Sequence, residues 1–204
     1  ESATVVDRIV CHANLSDALA DMQFILGTTA RLGRQRPVVI SPDSAARRIH
    51  TMGPDNRVAL LFGPEDRGLT NEELRFCHLL VNIPTADFSS INLAQAVMLI
   101  CYEVRKVETF EPPKTMAKLA SRHELDGMYA TLKEILTRID YIHRDNPDYW
   151  MDKIRRFGNR TQLRSREVSV LRAVRRQIDS YGKKCFQDGK ASAQNAPTNK
   201  NSGP

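Results

Sequence analysis

Apolar positions in the first half of the chain come in short compact runs, each cut off by a turn. Residues 22–26 stop at Gly27, residues 58–62 stop at Gly63-Pro64, and residues 79–83 stop at Pro84. Runs of this length bounded by Gly or Pro predict buried strands. Between them the spacing turns helical. Leu15, Ala18 and Leu19 predict a short helix over 16–21, and Ser41-Pro42 opens another over 42–50. Thr70-x-x-Glu73 is a capping box that starts a helix over 71–76. Residues 91–107 form a longer helix with apolar side chains on almost every face, which predicts burial all round and a buried structural thiol at Cys101. Strands alternating with helices predict an α/β fold with a parallel sheet and crossover helices.

Beyond Glu111-Pro112-Pro113-Lys114 the pattern is helical only. Leu125, Met128, Tyr129, Leu132, Leu136 and Ile139 make one stripe, and Leu171, Val174, Ile178 and Tyr181 make another. A short basic helix over 151–157 lies between them, beside Trp150. The expected organisation is a sheet domain over 1–110, a linker over 111–120, a helical extension over 121–186 and a disordered tail over 187–204. The tail is expected from its Gly, Lys, Ala, Ser, Asn, Thr and Pro content.

Charge changes this picture in one place. Residues 1–149 carry 17 Lys and Arg against 20 Asp and Glu, whereas residues 150–184 carry 11 against three. A basic segment on a near-neutral body is the footprint of a polyanion partner, or else a solvated helix face. Cys11, Cys77, Cys101 and Cys185 show no C-x-x-C or Cys/His cluster, so neither a zinc site nor a disulfide scaffold is expected. No apolar run approaches the roughly 20 residues of a membrane helix. A cytoplasmic setting, without metal or membrane, is the expectation.

The chemistry-bearing residues sit where two of the strands end. Gly63-Pro64-Glu65-Asp66-Arg67-Gly68 is not a P-loop, because Leu69-Thr70 follows in place of Lys-Ser/Thr, and G-x-G-x-x-G is absent. Its glycines suit a loop whose backbone approaches a ligand, and Glu65 and Asp66 disfavour phosphate there. Ser89 and Ser90 precede a helix, as N-caps or as ligand contacts. Asn92, in the first turn, can bond the preceding loop or a bound molecule. Loops at the ends of adjacent parallel strands are where such sheets bind ligands.

Leu61-Phe62-Gly63-Pro64-Glu65-Asp66-Arg67-Gly68-Leu69, with Asn82-Ile83-Pro84 through Asn92-Leu93-Ala94-Gln95-Ala96, resembles the second and third motifs of the SpoU/TrmH family of SPOUT RNA 2′-O-methyltransferases. Gly27-Thr28-Thr29-Ala30-Arg31 is similar to a segment of the TrmJ-like members. So is the succession after the linker, with Asn146-Pro147 and Met151-Asp152-Lys153-Ile154-Arg155-Arg156 between two amphipathic helices. The resemblance implies a SPOUT-type parallel sheet with a C-terminal trefoil knot, followed by a small all-helical domain. It implies S-adenosylmethionine as cofactor, held by Thr28, Thr29, Ala30, Gly63, Ile83, Ser89, Ser90 and Ile91. Glu65, Ser90 and Asn92 are then expected near the reacting centre, and Arg31, Lys153, Arg155, Arg156 and Arg160 on the RNA. The implied partners are tRNA, methylated on a ribose 2′-hydroxyl of the anticodon loop, and a second copy of the chain. Methylation of rRNA, and RNA binding without catalysis on the same scaffold, stay open as alternatives.

Two departures qualify the resemblance. An Asn-x-Gly-Ala-x-x-Arg motif, whose arginine the family uses on the acceptor hydroxyl, has no counterpart in residues 1–22. The first βα unit that carries it is expected to precede Glu1, whether disordered, truncated or naturally absent. In the third motif Phe88 stands where tyrosine is common and Ile91 where leucine is.

Overall fold

The computed structural model describes residues 2–30, 38–85, 91–107, 117–142 and 145–194. Its elements are α1 (Ser2–Val6), α2 (Leu15–Leu19), β1 (Phe24–Thr28), β2 (Val39–Ile40), α3 (Pro42–Thr51), β3 (Val58–Leu61), α4 (Asn71–Leu74) and β4 (Leu79–Val81). They continue as α5 (Leu93–Val107), α6 (Arg122–Arg138), α7 (Pro147–Thr161) and α8 (Ser165–Gln194). Each strand expected from the apolar runs is present, and the fold is α/β. The periodicity missed β2, whose two residues pair with β4 alone among the described residues, and the five-residue α1.

All strands run parallel in the order β2-β4-β1-β3. Phe24 pairs with Val58 and Leu26 with Leu79, so β1 lies centrally, between β3 and β4. Strand alternation divides its side chains between two cores. Phe24 and Leu26 join Ala45, Met52, Val81, Ile100 and Leu119 on the side of α3 and α5. Ile25 joins Leu19, Leu74, Cys77 and Leu80 on the side of α2 and α4. The Thr70 capping box is formed as the spacing predicts, with Glu73 N–H donating to Thr70 Oγ1 at 3.3 Å and Thr70 N–H donating to Glu73 Oε2 at 2.7 Å.

Four expectations are corrected. α5 buries Ala96, Ile100 and Val107, while Met98 is 69% and Tyr102 61% exposed. Cys101 lies on the open face and is exposed. A helix packed on one side of a sheet needs only one apolar face, and the surplus apolar residues point outward. On α8 the stripe Leu171, Val174, Ile178 and Tyr181 is also exposed. α8 meets α6 through Val168 and through polar bonds from Arg172, Arg175 and Asp179. Finally, α8 continues to Gln194, through the first part of the segment expected to be disordered.

The helices after residue 117 have their own core of Leu125, Met128, Tyr129, Ile142, Met151 and Val168. They dock on the sheet unit through buried polar bonds. Asn56 Nδ2 donates to Met52 O at 2.8 Å, and Leu119 N–H donates to Asn56 Oδ1 at 2.8 Å. Asn159 Nδ2 donates to Cys77 O at 3.2 Å. Arg122 stacks on Phe76 at 4.6 Å and makes a bidentate pair with Asp126 at 2.9 and 2.6 Å.

Candidate functional site

The C-terminal ends of β1, β3 and β4 are followed by loops that enclose one cleft of about 300 Å³. Thr28, Thr29 and Ala30 come from the first loop, residues 62–69 from the second, and Val81, Ile83 and Thr85 from the third. Ile91, Leu93 and Ala96, around the start of α5, close the apolar side. Six of the expected donor-site residues, Thr28, Thr29, Ala30, Gly63, Ile83 and Ile91, therefore share one wall system. Ser89 and Ser90 lie outside the described residues, as does Arg31.

Backbone geometry explains why the second loop needs its glycines. A Cβ on Gly63 would fall 2.1 Å from the carbonyl carbon of Gly68 and 2.3 Å from Leu69 N. The loop doubles back on itself there, and Gly68 N–H donates to Pro64 O at 2.8 Å. Gly68 has φ +67°, a left-handed conformation that costs an L side chain roughly 1–2 kcal/mol. The other loops are laced in turn. Thr28 Oγ1 donates to Leu61 O at 3.1 Å, Thr29 N–H donates to Val81 O at 3.0 Å, and Asn82 Nδ2 donates to Thr29 O at 2.9 Å.

Glu65 and Asn92 are both engaged at the N-terminus of α5. Leu93 N–H donates to Glu65 Oε1 at 3.0 Å, and Ala94 N–H donates to Asn92 Oδ1 at 2.9 Å. These acceptors satisfy amides that open the helix without partners, and the carboxylate complements the helix dipole. Glu65 also ties the Gly63–Gly68 turn to α5, and so links two walls of the cleft. Asn92 is not among the cleft-lining residues.

Behind the cleft, His78 and Cys77 are buried and inert. Ile25 N–H donates to His78 Nδ1 at 3.1 Å, and burial, aided by the Arg122 charge, lowers the imidazole pKa to about 4. Burial pushes the Cys77 thiol up to about 12, which removes it as a nucleophile.

The model of the SpoU rRNA Methylase family matches residues 2–102, and that of the tRNA methyltransferase TrmJ C-terminal domain matches residues 123–192. A tRNA (cytidine/uridine-2′-O-)-methyltransferase TrmJ of Photorhabdus laumondii is 31% identical over 188 residues, spanning 89% of this chain and 76% of the relative. The chain belongs to the TrmJ family of RNA methyltransferases. A tRNA (cytidine/uridine/adenosine-2′-O-)-methyltransferase TrmJ of Pseudomonas aeruginosa is 34% identical, over 85% of this chain and 71% of its own. The crystal structure of TrmJ from Z. mobilis ZM4 superposes with a TM-score of 0.75 at 27% identity, covering 87% of this chain and 77% of that one.

The structure sorts the basic residues that the sequence places on RNA. Arg155 Nη1 donates to Asp152 at 3.2 Å, and Asp152 also pairs with Arg75 at 2.9 Å. Arg155 is thus half-buried in an internal ion network. Lys153 lies 4.4 Å from the Tyr149 ring and 4.7 Å from Trp150, and Arg160 lies 5.9 Å from Phe157. Lys153, Arg156 and Arg160 are exposed. Tyr149 and Phe157, both more than half exposed, interleave with these cations along α7. The sequence reading passed over those two aromatics, although their i, i+4, i+8 spacing with Lys153 was legible.

Proposed function

We propose that this chain is an S-adenosylmethionine-dependent methyltransferase acting on ribose 2′-hydroxyls of tRNA, in the anticodon loop. The observation that carries the reading is the cleft itself. Three loops at adjacent strand ends, each holding residues of the motifs that mark the family, converge on one partly apolar site. The cleft residues fit the donor. Ile83, Ile91 and Leu93 offer apolar walls to an adenine, and the backbone of residues 28–30 and 63–68 offers polar groups without a phosphate-like charge pattern. When bound, S-adenosylmethionine supplies a methyl group on a sulfonium, already a good leaving group. The chain's own task is positioning. Glu65 and Asn92 act as positioning residues that hold α5 and its Ile91–Leu93 edge against the turn.

tRNA is favoured over rRNA because the helical part matches a C-terminal domain described for a tRNA methyltransferase. Lys153, Arg156 and Arg160 are proposed as RNA contacts on that part, with Arg155 bracing them. A homodimer covering the open face of α5, and a trefoil knot in the sheet domain, belong to the same reading.

The test is methyl transfer by the full gene product. Incubation with radiolabelled S-adenosylmethionine and bulk tRNA is expected to label the RNA, and nuclease digestion to place the label on 2′-O-methyl nucleosides. A folded product that binds S-adenosylhomocysteine yet labels no tRNA overturns the substrate assignment.

A further inference from the structure

A second groove, of about 440 Å³, lies between α6 and α8 and is lined by Gly127, Thr131, Ser169, Arg172, Arg175 and Arg176. Its chemistry differs from that of the strand-end cleft, with three guanidinium groups, two hydroxyls and no apolar side chain. Gly127 makes the space, since a Cβ there would fall 3.0 Å from Arg172 Nη2. Arg172 Nη2 donates to the backbone oxygen of Glu124 at 3.1 Å, and its charge also acts on the Glu124 carboxylate, which takes its hydrogen bonds from Ser121 and Ser165 rather than from Arg172. Arg175 is a strut between the helices, with Nη1 donating to Thr131 Oγ1 at 3.4 Å and Nη2 to Glu134 Oε2 at 3.2 Å. Accepting that bond leaves the Thr131 hydroxyl proton for another oxygen. Arg176 has no carboxylate partner among the described residues, and Asp179 is held by Arg138 and Arg175.

Two incompletely neutralised guanidinium groups beside a free hydroxyl proton form a donor set for phosphate oxygens. We infer that the α6–α8 groove seats a phosphate of the substrate RNA backbone, through Arg172, Arg176 and Thr131. This contact is separate from the aromatic and basic face of α7, and it rests on the RNA-methylation reading above. Charge supports an extended polyanion, because the three groove arginines belong to a segment, residues 150–184, with 11 basic residues against three acidic ones. A phosphate contact carries register rather than base identity, so the groove serves any tRNA of the right shape.

The test compares the full-length protein with Arg172→Gln/Arg176→Gln, leaving the Arg175 strut in place, and with Ser169→Asp, which brings a negative charge to an exposed lining position. Binding of a tRNA transcript is measured across a salt series, alongside S-adenosylhomocysteine binding and thermal melting. The double variant is expected to bind tRNA roughly tenfold more weakly at low salt, with a log–log salt slope shallower by about 1.5. Ser169→Asp is expected to weaken tRNA binding in the same direction, and both variants to keep wild-type cofactor binding and melting. Unchanged affinity and slope in variants of a protein whose wild type binds tRNA overturn the groove alone. A wild type that binds cofactor but no tRNA overturns the RNA reading and the groove with it.

Discussion

Gly63 shows how little freedom the cleft allows at a single position. Any Cβ there collides with the backbone of Gly68 and Leu69, which has no flexible end to move aside. Gly63→Ala is therefore expected to open the turn and weaken S-adenosylhomocysteine binding at least about tenfold, by calorimetry, while the sheet core stays folded. His78 carries a different consequence. Its pKa of about 4 in the folded chain lies below the ordinary 6.5, so the unfolded chain takes up the proton first. Stability is fully present above pH 6.5 and falls by roughly 3 kcal/mol as pH drops from 6.5 to 4. Urea denaturation across that range should show the loss, and His78→Asn, which keeps an acceptor for Ile25 N–H, should flatten it relative to wild type. A parallel slope in both proteins would remove His78 as the cause.

Among the elements, α5 is the one whose composition exceeds what its own chain can bury. Ala96, Ile100 and Val107 face the sheet, and Met98, Leu99 and Tyr102 face outward. Exposed apolar area gathered on one helix marks an interaction surface. Met98→Glu with Tyr102→Glu is expected to convert a dimer to a monomer in sedimentation experiments, with the sheet core unaffected. A wild type that sediments as a monomer would refute the surface. α8 shows the converse arrangement, since beyond Val168 polar residues make its contacts with α6 while its apolar stripe faces solvent.

At the scale of the molecule, the sheet unit and the helical part are joined by a few buried polar groups. Asn56 is the clearest, bonding Met52 O on its own side and Leu119 N–H on the other. Leu119 itself belongs to the core beneath α3 and α5. Asn56→Ala leaves both groups buried without a partner and is expected to cost about 2 kcal/mol, measured by urea denaturation. A change below a few tenths of that would mean the joint is held by apolar packing alone.

Local order was legible in the sequence because it depends on near neighbours. Gly63 and Pro84 stand in the loops that follow apolar runs, and Thr70 and Glu73 cap a helix, each where the spacing placed it; Gly27 does not end its run, since β1 continues through it to Thr28 and pairs it with Leu61 and Leu80. The strand-end loops were legible for the same reason, together with the residues that bring them to one cleft. What near neighbours cannot specify is which face of an element meets which other element. Cys101 and Met98 sit in an apolar helix, yet only the packing of α5 on one side of the sheet turns them outward. Arg155 and Arg156 are adjacent and alike in charge; the Asp152–Arg155 pair, three residues apart on one helix, is local, and only the fold adds Arg75 to it and leaves Arg156 exposed. Glu65 is expected near the reacting centre, and only the fold brings the Leu93 amide, 28 residues along the chain, to meet it. Periodicity and turn chemistry act over a few residues and are written along the chain; pairing of groups up to 114 residues apart, as between Arg48 and Gln162, exists only once the fold has closed.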